Sequence, residues 1–162
     1  PESRKEQGLF MNLNIRRNIA MVNLKKFISF FLINTKKERQ EAEKQIDNLK
    51  IKTPTAEFPV LNLSGGNQQK VVLGKWLCAN SDILILDEPT RGVDVGAKEE
   101  IFQAIYALAK QDKSVIFISS ELEEVLRVSN RVITMYKGRI TGEFEQKNLT
   151  LNEMMKYITG GQ

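Results

Sequence analysis

The stretch Ile83-Leu84-Ile85-Leu86-Asp87-Glu88-Pro89-Thr90 constrains this chain more than any other. A short apolar run without alternation is what a strand covered on both faces requires. Such strands belong to parallel sheets packed with helices, where ligands bind beyond the carboxyl ends of the strands. Asp87 then stands where it can hold Mg²⁺, and Glu88 where it can orient or deprotonate water. Upstream, Leu63-Ser64-Gly65-Gly66-Asn67-Gln68-Gln69-Lys70 reads as a glycine turn opening a helix. Ser64 suits the N-cap, and Gly65 and Gly66 let the backbone approach a ligand without Cβ interference. The N–H groups of the first turn then form an anion site. Each stretch alone has a plainer reading: a capped helix after a loop, and two surface acids opening a loop.

The 162 residues are enough for one ordinary domain with a core, and 41% hydrophobic against 27% charged is a globular balance. The net charge of +4 is mild, with scattered basic residues and few aromatics, which argues against a nucleic-acid partner. There is no histidine, so acid–base chemistry and metal ligation by that residue are excluded from this chain. The single cysteine, Cys78, allows no disulfide within the chain and reads as a buried structural thiol in a reducing setting. The longest apolar run, Phe27–Ile33, falls far short of the roughly 20 residues a membrane span needs. Contact with a membrane is therefore expected to be peripheral.

Pro1-Glu2-Ser3-Arg4-Lys5 reads as the middle of a longer protein, and Gly160-Gly161-Gln162 as a frayed natural end. From Arg16 to Ile33, Phe27, Phe30 and Phe31 fall on one face at helical spacing. They fit either a helix packed on its neighbours or an apolar patch awaiting a partner. Thr35 to Leu49 reads as an amphipathic helix with Thr35 and Glu38 as a capping box and Ala42, Ile46 and Leu49 as its apolar side. Further helices are expected over Gly66–Ala79, Gly96–Lys110, Glu121–Val128 and Thr150–Thr159, the last with Thr150 and Glu153 as a capping box. Val115–Ser119 reads as a second covered strand, and Lys137-Gly138 as the turn of a hairpin between Asn130–Tyr136 and Arg139–Phe144.

The signature-like Leu63–Lys70, the strand Ile83–Glu88, then Gly92-Val93-Asp94-Val95 and Val115–Ser120, in that order, resemble the ATP-binding-cassette (ABC) ATPase family over essentially the whole chain. Asn67, Thr90–Lys98, Ser119-Ser120-Glu121 and the ending Tyr157–Gly161 look like the second ATPase half of bacterial monosaccharide importers. The fold class implied is α/β: a partial P-loop NTPase core with parallel strands, a helical subdomain over 1–80 that ends in the signature loop and helix, and an α/β core over 81–162 with a C-terminal hairpin and helix.

The resemblance also implies a sandwich of two cassettes with ATP and Mg²⁺ as cofactors. In it Ser64, Gly65 and Gly66 contact the γ-phosphate held by the opposite half, and Asn67 lies near its ribose. Asp87 assists Mg²⁺, Glu88 activates water, Asp94 links the two sites, and Glu2 aligns weakly with the Q-loop glutamine. Partners would be the other ATPase half, membrane permease subunits and, indirectly, a sugar-binding protein, at the cytoplasmic face of the bacterial inner membrane. Ser120 occupies the switch position where most active cassettes carry histidine, so this half's own site is expected to be weak. The Gly-x-x-x-x-Gly-Lys-Ser/Thr phosphate loop is absent from the sequence. Truncation upstream is its simplest explanation. The chain alone should not hydrolyse ATP, and an unpaired sheet edge should favour self-association. DNA-maintenance ATPases share the signature loop and this strand and form the alternative, although no sustained heptad run is present.

Overall fold

The computed structural model describes residues 7–160. Glu2 lies outside them. The first helix, α1 (Ile15–Ala20), begins where the Asn14 side chain accepts the Arg17 N–H at 2.9 Å. Ile15, Ile19 and Ala20 are buried, as is Asn18, whose amide holds the Phe10 N–H (2.8 Å) and carbonyl (3.0 Å). A 3₁₀ stretch, Met21–Phe27, leads into a short hairpin of β1 (Ile28–Ser29) and β2 (Leu32–Ile33). The helix-face reading of the three phenylalanines fails here. Phe27 is 1% exposed and faces the core, whereas Phe30 and Phe31 are 95% and 101% exposed at the hairpin tip. The chain reverses between them, so helical spacing does not hold.

Helix α2 (Thr35–Asn48) is capped by Asn34, whose side chain accepts the Lys37 N–H at 3.1 Å. The expected Thr35–Glu38 capping box does not form. Glu38 is instead buried and paired with Arg16, which also donates to Glu57 at 2.8 Å. A buried partner for a guanidinium outweighs a terminal cap, because an unpaired charge there would cost several kcal/mol. The hydrogen bond from Arg16 holds the Glu57 carboxyl below its ordinary range. Ala42, Ile46 and Leu49 form the apolar side, as expected.

Helix α3 (Gly65–Cys78) packs against α1 and α2. Cys78 is buried on it, and burial pushes its thiol up to about 11. Strands β3 (Ile83–Asp87) and β4 (Ser114–Ile118) pair in parallel, with helix α4 (Val95–Ala109) as the crossover. The apolar core is continuous from Leu9 through α1–α3 to Leu86 and to Ile101, Phe102 and Ile105 of α4.

The two strands are covered on one face only, a departure from the two-sided burial read from their composition. Leu84 and Leu86 are buried, whereas Ile83, Ile85, Ile116 and Ile118 on the opposite face are exposed. Successive strand residues point to opposite faces, and the described residues place α4 on just one of them. The α/β alternation is present, with a parallel pair at its centre.

Helix α5 (Leu122–Val128) is followed by the hairpin of β5 (Arg131–Tyr136) and β6 (Arg139–Glu145). Its turn, Lys137-Gly138, has both residues at positive φ (46° and 77°), as a two-residue hairpin loop requires. Helix α6 (Leu151–Ile158) carries the expected Thr150–Glu153 capping box. No helix among the described residues is long and apolar enough to cross a membrane.

Replacing Arg16 with Leu strands Glu38 as a buried charge. The variant should lose about 3 kcal/mol of stability in denaturant unfolding, and Glu38→Gln introduced with it should recover a large part.

Candidate functional site

The sequence-predicted residues gather in two places. The first is the carboxyl end of the parallel pair. Asp87 is the last residue of β3, in register with Ile118. Glu88 follows in the left-handed region at φ 47°, unusual for a residue with a side chain. Three hydrogen bonds fix it: its N–H donates to the Ile118 carbonyl (2.9 Å), its carbonyl accepts from Arg91 N–H (3.2 Å), and its Oε1 accepts from Ser120 N–H (2.8 Å). Glu88 and Ser120 are thus joined, but through the backbone of Ser120 rather than its hydroxyl.

Below this pair is a cluster that sequence reasoning missed. Glu124 of α5 is buried, and its Oε2 accepts from the Thr90 hydroxyl (2.5 Å) and the Ser119 hydroxyl (3.2 Å). Its Oε1 takes an ion pair with Lys98 of α4 at 2.7 Å, and Lys98 also holds Glu121. Burial pushes the Glu124 carboxyl up, but the bonds from Lys98, Thr90 and Ser119 together outweigh it and hold it low. The cluster ties the loop after β3, the end of β4, α4 and α5 into one unit. Thr90 and Lys98 lay within the motif Thr90–Lys98, but nothing in the sequence marked Glu124 as their shared acceptor.

The second place is the joint between the starts of α3 and α4. Ser64 is the N-cap residue of α3 by position, but its hydroxyl makes no cap bond to the helix and accepts instead from Asn67 Nδ2 at 2.9 Å. The Asn67 Oδ1 accepts Lys52 N–H at 2.9 Å. Because an amide N–H can only donate, the Lys52 contact fixes which end of the Asn67 amide meets Ser64. The Ser64 hydroxyl oxygen is therefore the acceptor in this contact, and its proton is not used in it. The first helical bond runs from Gln68 N–H to the Ser64 carbonyl (2.9 Å), so the N–H groups of Gly65, Gly66 and Asn67 precede it at the helix start.

Ser64 is exposed and Gly65 half-buried, which leaves the turn reachable, while Gly66 is buried. A Cβ on Gly66 would lie 2.7 Å from Ala97 Cβ, so this glycine serves close packing of the two helices. Asp94 caps α4 by accepting Ala97 N–H at 3.0 Å, and that bond holds its carboxyl below the ordinary range.

The donor set suits a nucleotide-borne ion better than a protein cage. No cluster of three or more metal-ligating side chains exists among the described residues. One or two carboxylates at a strand end are the usual protein share of an Mg²⁺ that keeps waters and phosphate oxygens. The N–H groups opening α3, which precede its first helical bond, likewise fit a phosphate.

The sequence matches the ABC transporter family over residues 3–91. The chain belongs to that family. It is 49% identical over 162 residues to the xylose import ATP-binding protein XylG of Moorella thermoacetica, covering 100% of this chain and 32% of that protein. It is 47% identical over 160 residues to the ribose import ATP-binding protein RbsA of Oceanobacillus iheyensis (99% and 32%). With the L-arabinose transport ATP-binding protein AraG of Geobacillus stearothermophilus it shares 48% over 158 residues (98% and 31%). The chain thus spans about a third of the length of these relatives. Its fold is similar to the dimeric post-hydrolysis state of the ATP-binding cassette MJ0796 bound to ADP and Pi, with a TM-score of 0.75 at 23% identity, covering 88% of this chain and 62% of that one. These relatives favour the importer reading over the DNA-maintenance alternative.

Placing a methyl at Gly66 forces α3 and α4 apart. Gly66→Ala should cost about 2 kcal/mol in thermal or denaturant unfolding, and Ala97→Gly on the same chain should restore most of the loss.

Proposed function

We propose that this chain is part of an ATP-binding and hydrolysing subunit that energises sugar import, acting at the cytoplasmic face of the bacterial inner membrane. The observation that carries the reading is Glu88, a carboxylate whose Oε1 is held by Ser120 N–H at the joint end of β3 and β4. When bound, MgATP supplies a phosphoanhydride whose hydrolysis releases the energy for transport. Asp87 would hold the ion, and Glu88 Oε2 would orient a water and take its proton. Ser64, Gly65 and Gly66 would donate to the γ-phosphate of a nucleotide seated on the opposite ATPase half, with Asn67 as the residue that aims the Ser64 hydroxyl. Asp94, capping α4 beside Gly66, would couple the two places. Glu2 would act as the Q-loop residue.

Glu88 stands at the end of β3 and the turn carrying Ser64 at the start of α3, on different elements, which supports their facing two different nucleotides. Residues 1–80 would serve as the helical subdomain that transmits closure to permease subunits, with a sugar-binding protein delivering the cargo, and 81–162 as the catalytic core. Ser120 offers one hydroxyl where an imidazole could carry charge. This half then matters more as the cover over its partner's ATP than as a catalyst. The exposed apolar face of β3 and β4 and the missing phosphate loop support inactivity and self-association of the chain alone.

In the intact protein, Ser64→Arg should lower sugar-stimulated ATP turnover roughly 100-fold, whereas Glu88→Gln should leave most of it. Turnover lost in Glu88→Gln but retained in Ser64→Arg would overturn the assignment.

The Asn67 role has its own check. Asn67→Asp replaces the donor to Ser64 with a second acceptor and should lower turnover about as much as Ser64→Ala. On a Ser64→Ala background it should add almost nothing. Additive losses in that cycle would show that Asn67 acts independently of the hydroxyl.

A further inference from the structure

The nucleotide reading leaves the β1–β2 hairpin without a role. We propose that this hairpin is a membrane-contact element that seats Phe30 and Phe31 at the headgroup–acyl boundary of an anionic bilayer. Both rings stand almost wholly in water at its tip, and Ile28, Leu32 and Ile33 beside them are exposed as well. Both residues have positive φ, 49° and 68°. A two-residue turn of this shape favours Asn-Gly, so two aromatic rings there suit neither the turn nor the core. Nothing in the packing of the described residues accounts for them, and a contiguous exposed apolar patch marks a contact surface.

The surrounding charge identifies the surface. Between Ile15 and Lys37 the sequence carries Arg16, Arg17, Lys25, Lys26, Lys36 and Lys37 and no acidic residue. Arg16 is engaged by Glu38 and Glu57, and Lys26 by Glu41. Lys25, Lys36 and Lys37 are exposed and have no acidic partner among the described residues. They flank the hairpin base, which Asn34 N–H closes on the Phe27 carbonyl at 2.7 Å. An apolar tip with a cationic collar is the composition of an interfacial anchor. Basic side chains near a bilayer are drawn to anionic headgroups, while their stems lie along apolar surface. A protein groove deep enough for the rings would strip water from the unpaired lysines, a cost that the headgroup layer avoids. The inference does not require the ATP reading, because vesicle binding is measured with or without hydrolysis.

The test is co-sedimentation of the intact protein with phosphatidylcholine vesicles and with mixed phosphatidylcholine–phosphatidylglycerol vesicles. Binding to the mixed vesicles should fall as NaCl is raised. It should be lost in the Phe30→Ser, Phe31→Ser variant and weaken roughly fivefold for each of Lys36→Ala and Lys37→Ala at low salt. These side chains lie in water, so the circular dichroism and melting of the variants should match the parent. As an independent readout, Phe31→Trp in a Trp76→Phe background should shift its emission to the blue on mixed vesicles and be quenched by brominated acyl chains. Equal binding to neutral vesicles, no binding, or binding indifferent to the phenylalanines would overturn the proposal. So would hairpin-dependent capture of a permease subunit without vesicle binding, which would assign the surface to a protein.

Discussion

The meeting of two helix starts, with Gly66 of α3 against Ala97 of α4, governs the geometry of everything described above. Only the Ala97 methyl lies between the two backbones, so the turn carrying Ser64 is packed closely on the loop carrying Asp94. Buried Lys70, one turn into α3, reinforces that packing by pairing with Glu100 of α4 and donating to the Lys50 carbonyl at 2.9 Å. Helix α4 in turn lies against the parallel pair and supplies Lys98 to Glu124. Between the turn and the strand ends lie this helix packing and the Lys98–Glu124 ion pair, a contiguous path along which the proposed coupling would run.

The motifs were legible wherever a local interaction decides the structure. Lys137-Gly138 signals its hairpin because glycine tolerates positive φ, and Thr150 with Glu153 signals a helix start because both partners lie within one turn. The strand before Asp87 was legible from hydrophobicity alone. What sequence reasoning missed depends on distant partners. Thr35 and Glu38 have the spacing of a capping box, yet Glu38 turns to Arg16, twenty-two positions away. Ile85 and Ile116 are as apolar as core residues, and composition cannot say which face of a strand finds cover.

The site shows the same division. Ser64, Gly65, Gly66, Asp87 and Glu88 could be picked out because spacing marks them. Ser120 was marked too, as the switch position, but the contact it makes is a backbone N–H, which any residue type could supply, and Lys52 fixes Asn67 in the same way. Glu124 looked like one of three acids near the start of α5. Only the approach of Thr90, Ser119 and Lys98 from three other segments separates it from Glu121 and Glu123. Backbone donors and long-range acceptors leave no residue-type signal, and here they set the orientation of Glu88, Asn67 and Glu124.

Two places hold non-glycine residues in the left-handed region beside a proposed contact surface, and they differ in what holds them. That conformation costs about 1 kcal/mol per residue. At Glu88 three hydrogen bonds to β4 and its own loop over-determine it, so the carboxylate keeps one direction with or without a ligand. Phe30 and Phe31 rest on a two-residue ladder, with Ile28 opposite Ile33 and Ser29 opposite Leu32. Their rings gain no burial within the described residues. The strain at Glu88 is held by the fold and presents a fixed group to reacting atoms, as catalysis needs. At the hairpin the turn rests only on that ladder and the Asn34–Phe27 bond at its base, and a contact made by the rings on the proposed surface would add to them. A soft apolar layer can accept two rings without demanding a fixed orientation, which matches a tip that the fold itself leaves weakly held.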